Sequence, residues 1–216
     1  RRQRQMCIRD SRIRLVAATD MSVMIFGENG TGKEHIAHHL HDKSKRAGKP
    51  FVAVDCGSLT KELAPSAFFG HVKGAFTGAD STKKGYFYEA EGGTLFLDEV
   101  GNLALETQQM LLRAIQERRY RPIGDKSDRS FNVRIIAATN EDLEAAVSEK
   151  RFRQDLFYRL HDFGITVPPL RDCQEDILPL AEFFREIANK ELECNVSGFS
   201  SEARKALLTH AWPGNV

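Results

Sequence analysis

The sequence predicts an α/β fold: a parallel central sheet flanked by helices, followed by the start of a smaller helical unit. Three observations carry this. The apolar run Val23-Met24-Ile25-Phe26 enters a glycine-rich loop, Gly27 to Glu34 (GENGTGKE), which opens a helix-like segment reaching Leu40. Phe51-Val52-Ala53-Val54 follows Pro50 as a second buried strand ending at Asp55 and Cys56, and strand, helix, strand implies parallel pairing. Two further apolar runs, Gly93 to Leu97 and Val133 to Ala138, each end in polar residues, Asp98-Glu99 and Thr139-Asn140.

The bulk numbers narrow the class. A chain of 216 residues suits one large domain, or one domain and part of a second. With 41% hydrophobic and 28% charged residues it can bury a core, and a net charge of +1 gives no electrostatic argument for a nucleic-acid surface. DNA binding is therefore expected through a domain outside this sequence. Cys7, Cys56, Cys173 and Cys194 are widely separated and form no C-x-x-C pair, which fits a reducing cytoplasm. No apolar stretch is long enough to span a bilayer, so no membrane contact is expected. Arg1-Arg2-Gln3-Arg4-Gln5 reads as an exposed basic start or the trimmed edge of a longer protein.

Taken in order, Ile8, Ile13, Leu15 and Val16 recur among arginines as a helix that ends near Asp20 and packs on the core. In the loop, Gly27, Gly32 and Lys33 satisfy a phosphate-binding pattern, and Glu34 stands where a hydroxyl is usual. Backbone N–H groups along Gly27, Glu28, Asn29, Gly30, Thr31 and Gly32 can form an anion cradle at a helix N-terminus, with Lys33 adding a point charge. The missing hydroxyl would normally touch Mg²⁺, so another group must help hold the metal. The following helix carries His35, His38, His39 and His41. Without an H-E-x-x-H arrangement, a solvated face explains them better than a zinc site.

Phe68 to Lys73 and then Gly74-Ala75-Phe76-Thr77-Gly78-Ala79 show no amphipathic period, which predicts a loop tip presenting Phe76 to another macromolecule. Asp98 and Glu99, at the C-terminal end of a parallel strand, face the same crevice as the phosphate loop. Asp98 can hold Mg²⁺ and Glu99 can polarise the attacking water. Leu103, Leu111, Leu112 and Ile115 follow helical spacing. Thr139 and Asn140 either sense a γ-phosphate or cap a strand end. Arg153 and Arg159, six residues apart, either make surface salt bridges or stabilise transition-state charge, in trans on a neighbouring subunit. After Pro168-Pro169 the chain turns helical from Asp176, with Ile177, Leu180, Phe183, Phe184 and Ile187 spaced for one buried face. A boundary is expected between a nucleotide-binding unit, 1–172, and a helical lid, 173–216.

With these pieces in order, the chain resembles the AAA+ ATPase domain of bacterial enhancer-binding proteins, the sigma-54-dependent transcriptional activators. The resemblance rests on GAFTGA at Gly74 to Ala79, GYFYEAEGGTLFLDEV at Gly85 to Val100, RIIAATN at Arg134 to Asn140, FRQDLFYRL at Phe152 to Leu160, VPPLRD at Val167 to Asp172 and the closing WPGNV. It implies an AAA+ P-loop NTPase binding ATP and Mg²⁺, with Lys33 on phosphate, Asp98 on the metal and Glu99 activating water. It further implies Thr139 and Asn140 as sensor I, Arg153 and Arg159 as arginine fingers, a homo-hexamer, and Gly74 to Ala79 engaging the sigma-54 RNA polymerase holoenzyme. A phosphate loop ending in Lys-Glu is usual in that family, so Glu34 becomes a signature. Asn29, Asp55, Ala67 and Val72 depart from the family pattern, Asp55 most consequentially, because a carboxylate cannot donate to Glu99 as the family's amide does. The family's sensor II arginine would follow Val216. The competing expectation is an ATP-binding, oligomerising regulator that does not use hydrolysis.

Overall fold

The structure, a computed structural model, describes residues 10–216; Arg1 to Gln5, Cys7 and Ile8 lie outside the described residues. Among the described residues seven strands run β1 Val23–Phe26, β2 Phe51–Asp55, β3 Thr94–Asp98, β4 Arg119–Tyr120, β5 Arg129–Ser130, β6 Arg134–Thr139 and β7 Phe163–Thr166. The helices are α1 Asp10–Ala17, α2 Lys33–Asp42, α3 Ala64–Phe69, α4 Tyr86–Glu89, α5 Leu105–Glu117, α6 Leu143–Ser148, α7 Gln154–Leu160, α8 Gln174–Glu191 and α9 Ser201–Thr209. Five strands form the central sheet in the order β2-β3-β6-β1-β7, all parallel, and β4 with β5 make a small antiparallel pair.

The apolar runs are continuous because both faces of the sheet are covered. Met24, Leu95, Leu97, Ile135 and Ala137 point into one cluster with α3, α5 and α7. Their neighbours Val23, Ile25, Phe96, Ile136 and Ala138 point into the other, where Ile13, Val16, Ile36 and Leu40 of α1 and α2 pack. Arg134 is the buried charged side chain among the described sheet residues, at 1% exposure. Its guanidinium donates to the carbonyls of Val16, Ala17 and Met21 at 2.9, 3.0 and 3.2 Å, so it satisfies the end of α1 and ties that helix to β6. Burial holds its pKa below the usual arginine value.

Three expectations are corrected. Phe68 and Phe69 belong to α3 rather than to a loop; they are buried, and Phe69 stacks on Phe87 at 5.5 Å, so tertiary packing overrides the weak local period. His41 is not solvated: it is buried, with Nδ1 2.9 Å from Thr94 Oγ1. In α8 only part of the expected face is covered. Ile177 is buried, whereas Phe183 and Phe184 are exposed and pack on each other at 5.5 Å, because this helix packs mainly on the short α9 and the turn at Leu170–Asp172.

Candidate active site

The phosphate loop joins β1 to α2. Its first peptide is stitched to the neighbouring strand: Gly27 N donates to Thr139 O at 3.1 Å. Within the loop the buried Thr31 hydroxyl donates to Glu28 O at 2.7 Å, which tightens the turn. Lys33 points back into the loop, its Nζ donating to Gly27 O at 3.0 Å and Glu28 O at 3.2 Å. Burial pulls the Lys33 pKa below its ordinary value, and the charges of Asp98 and Glu99 oppose that. A buried ammonium on carbonyl oxygens, with two carboxylates near, can exchange those oxygens for phosphate.

The loop's side chains divide by direction. Glu34 turns outward, 3.8 Å from His38 Nε2. Glu28 turns away from the cradle to Arg171, and Asn29 is exposed while its carbonyl accepts from Asn215 Nδ2 at 2.8 Å. Gly30 has φ +72°, and a Cβ there would collide with the carbonyl oxygen of Gly214. The closing segment Trp212 to Val216 thus lies against the loop. Val216 N donates to Gly30 O at 3.2 Å, and the buried Asn215 accepts from Leu170 N at 2.8 Å.

Asp98 and Glu99 close β3 at the same edge. Asp98 stands opposite Asp55 in the β2–β3 register, and its Oδ1 accepts from Glu99 N at 3.0 Å. Glu99 adopts φ 50°, ψ 44°, a left-handed conformation that a residue with a Cβ rarely holds. Its Oε2 accepts from Asn102 Nδ2 at 2.9 Å. Thr139 is buried, Glu141 N donating to its hydroxyl at 3.1 Å, and Asn140 is exposed. A cleft of about 400 Å³ opens beside them, bounded by Gly27, Glu28, Thr139, Asn140, Phe157 and His161. The structure therefore gathers Lys33, Asp98, Glu99, Thr139 and Asn140 at one sheet edge.

The remaining expected residues sit elsewhere. The turn Gly74 to Ala79 is closed by Gly74 N donating to Ala79 O at 2.8 Å and Ala79 N to Phe76 O at 3.0 Å. Ala79 is buried at its base, Phe76 is 46% exposed, and the His71 ring meets Phe76 edge-on at 4.9 Å. Arg153 precedes α7 as its N-cap residue and grips Asp155 at 3.0 and 2.7 Å, whereas Arg159, in the last turn of α7, is exposed with no ion pair among the described residues. Asn102, Arg171 and Asn215 were not anticipated as site residues. WPGNV carried a signal for Asn215 and VPPLRD one for Arg171, whereas Asn102 lies in a stretch whose local pattern says only turn.

A parallel sheet with a phosphate loop after β1 and carboxylates after β3 defines a P-loop nucleotide-binding domain, here of the AAA+ ATPase type. The Sigma-54 interaction domain model matches residues 2–166, and the AAA+ ATPase lid domain model matches residues 171–216. The chain belongs to the Sigma-54 interaction domain family. Transcriptional regulatory protein ZraR of Klebsiella oxytoca is 50% identical over 204 residues, covering 94% of this chain and 46% of its own length. The sigma54-dependent transcriptional activator SfnR of Pseudomonas putida is 47% identical over 201 residues, covering 93% of this chain and 55% of its own. NtrX from Brucella abortus, solved with ADP and with ATP, superposes at TM-scores of 0.88 and 0.86 with 36% identity, over 95% of this chain and 45% and 46% of those chains. The chain thus spans about half the length of these relatives. Among the described residues no helix is long and apolar enough to cross a membrane.

Proposed function

We propose that this chain is the ATP-hydrolysing module of a cytoplasmic sigma-54-dependent transcriptional activator. It works as a homo-hexamer that remodels the sigma-54 RNA polymerase holoenzyme to open promoters. The observation that most supports this is the convergence of Lys33, Asp98, Glu99 and Thr139 at one sheet edge, where Lys33 feels both carboxylates. Nucleotide is expected there because NtrX was solved with ADP and with ATP. Residues 1–172 act as the nucleotide-binding unit and 173–216 as its lid; DNA is engaged by a domain outside these residues, and no membrane is involved.

Mg²⁺ fits the donors present. Among the described residues no group of three His, Cys, Asp or Glu side chains forms a cage, and Asp98 supplies the single carboxylate that suits an ion held mainly by phosphates and water. When bound, the ion neutralises phosphate charge. Lys33 releases the Gly27 and Glu28 carbonyls and takes phosphate oxygens. Glu99 accepts a proton from water as the water oxygen bonds the γ-phosphorus. The bond from that phosphorus to the β–γ bridging oxygen breaks, giving ADP and inorganic phosphate. Thr139 and Asn140 read the γ-phosphate, and Arg153 or Arg159 of a neighbouring copy stabilises the transition-state charge. The Gly74 to Ala79 turn carries the motion to sigma-54.

Phosphate release by the wild type and by Glu99→Gln tests the reading. Loss of the carboxylate base is expected to lower turnover by about 10²-fold or more with ATP binding retained. Equal, negligible rates in the two proteins would point instead to an oligomerising regulator that binds ATP without using hydrolysis.

A further inference from the structure

Resting on the hydrolytic reading and on fingers supplied in trans, we propose that Gln108 is a positioning residue: its buried amide fixes the backbone from which Arg153 and Arg159 reach a neighbouring copy. Gln108 is wholly buried on α5. Its Nε2 donates to Leu103 O at 2.7 Å and to Arg151 O at 3.0 Å, and its Oε1 accepts from Arg153 N at 2.8 Å. Both donors and the carbonyl of the amide are thus engaged. The partners allow the amide one orientation, since two of them are carbonyls and the third is an N–H. One partner lies on the carboxylate side of the subunit. Leu103 follows the turn Val100–Asn102 after Glu99, and its N–H donates to Val100 O at 3.2 Å. The other two bracket the turn that leads into α7.

The anchors of that turn divide between two helices. Arg151 N and Phe152 N both donate to Ala146 O, at 2.9 and 3.1 Å, so α6 holds its first half. Gln108 holds its second half, at the N-cap residue of α7, whose own side chain makes no capping bond. Leu156, Phe157 and Leu160 bury α7 against the core, yet apolar contacts are not directional, whereas the bond to Arg153 N is. The helix has 7 residues, so a tilt of about 10° at Arg153 moves Arg159 by more than about 1 Å. A displacement of that size in a group that stabilises a transition state costs up to about 10²-fold in rate. One buried amide therefore ties the segment after the subunit's own Glu99 to the arm that completes the next subunit's site.

ATP turnover of Gln108→Met, which keeps the side-chain length and removes all three hydrogen bonds, tests this. Its kcat is expected to fall about tenfold to a hundredfold with KM for ATP changed less than about twofold, because a finger acts on the transition state. Mixing separates misplaced fingers from a damaged site. Gln108→Met keeps Lys33 and Glu99, and Glu99→Gln keeps well-placed fingers, so each lacks what the other supplies. In an equal mixture about one interface in four pairs a whole site with a whole finger, and turnover is expected to rise to roughly a quarter of the wild type. Arg159→Ala mixed with Glu99→Gln is expected to show the same gain. A gain in that second mixture alone, or a wild-type kcat in Gln108→Met, overturns the role of Gln108. No gain in either mixture overturns fingers in trans and the proposal with them. Where Gln108→Met does not fold by circular dichroism, Gln108→Asn, whose amide is one methylene short, is read in the same mixtures; failure of both to fold assigns Gln108 to core stability and overturns the proposal. Negligible turnover in the wild type overturns the hydrolytic reading itself, a result that none of the other outcomes produces.

Discussion

Arg171 grips Glu28 with both terminal nitrogens, Nη1 to Oε2 at 2.9 Å and Nη2 to Oε1 at 2.6 Å, which ties the turn after β7 to the phosphate loop. Arg171, and after it Asn215, holds the Glu28 carboxyl down to about 2 from its ordinary 4.5. A folded pKa below the unfolded one means the pair contributes fully above about 4.5 and is lost as pH falls toward about 2. Both side chains are 43% exposed, so the contribution is small and screened by salt. The melting temperature of the wild type minus that of Glu28→Gln is expected to be positive near neutral pH and to shrink toward zero between pH 4.5 and 2. A difference that ignores pH would remove the ion pair as its source.

The two candidate fingers are expected to separate by their own ion pairing. Arg153 is already bound two-pronged to Asp155, so reaching a neighbouring site means giving that up, whereas Arg159 is exposed and unpaired among the described residues. Arg159→Ala is expected to lower ATP turnover by about 10³-fold, and Arg153→Ala by roughly an order of magnitude less. Wild-type activity per subunit should also rise with protein concentration, since a finger in trans needs assembly. Equal losses in the two variants would defeat the ranking.

Four of the five central strands stand where the apolar runs of the sequence predict them, and Asp98, Glu99 and Thr139 fall at strand ends because parallel topology leaves their C-terminal edge as the crevice. What stayed hidden is what depends on distant partners. Strand β7 is four residues long with Gly164 inside it, too short and too weak a pattern to read without β1 beside it. Arg134 reads as a polar interruption until the end of α1 and the turn after it supply the carbonyls of Val16, Ala17 and Met21. Asn102 lies three residues from Glu99, yet neither spacing nor composition says that its amide reaches the carboxylate.

Gly93 immediately precedes β3 and packs on Pro50 at the start of the paired β2, and its lack of a side chain is structural. Gly93 O accepts from Arg134 N at 3.0 Å while Thr94 N donates to Pro50 O at 2.9 Å, so the backbone there is held on both sides. A Cβ at 93 would collide with the Pro50 carbonyl oxygen and lie 2.8 Å from its carbonyl carbon and 3.0 Å from its nitrogen, none of which can move as a side chain does. Gly93→Ala is therefore expected to cost about 2–4 kcal/mol in urea unfolding. A loss under about 0.5 kcal/mol would mean that β2 and β3 separate more readily than their register implies.

The turn from Gly74 to Ala79 makes the opposite case, a segment whose exposed atoms contribute little to the fold. Thr77 is exposed and makes no side-chain hydrogen bond among the described residues, while buried Ala79 and the Phe76–His71 ring contact hold the base of the turn. Thr77→Ala should leave unfolding free energy within about 0.5 kcal/mol of the wild type, because nothing folded depends on that hydroxyl. If the turn is the contact that carries motion to sigma-54, the same substitution should weaken binding of purified sigma-54, measured with an ATP analogue present, by roughly tenfold or more, as expected when a central interface group is removed. Binding unchanged in Thr77→Ala, with stability also unchanged, would move the sigma-54 contact to another surface.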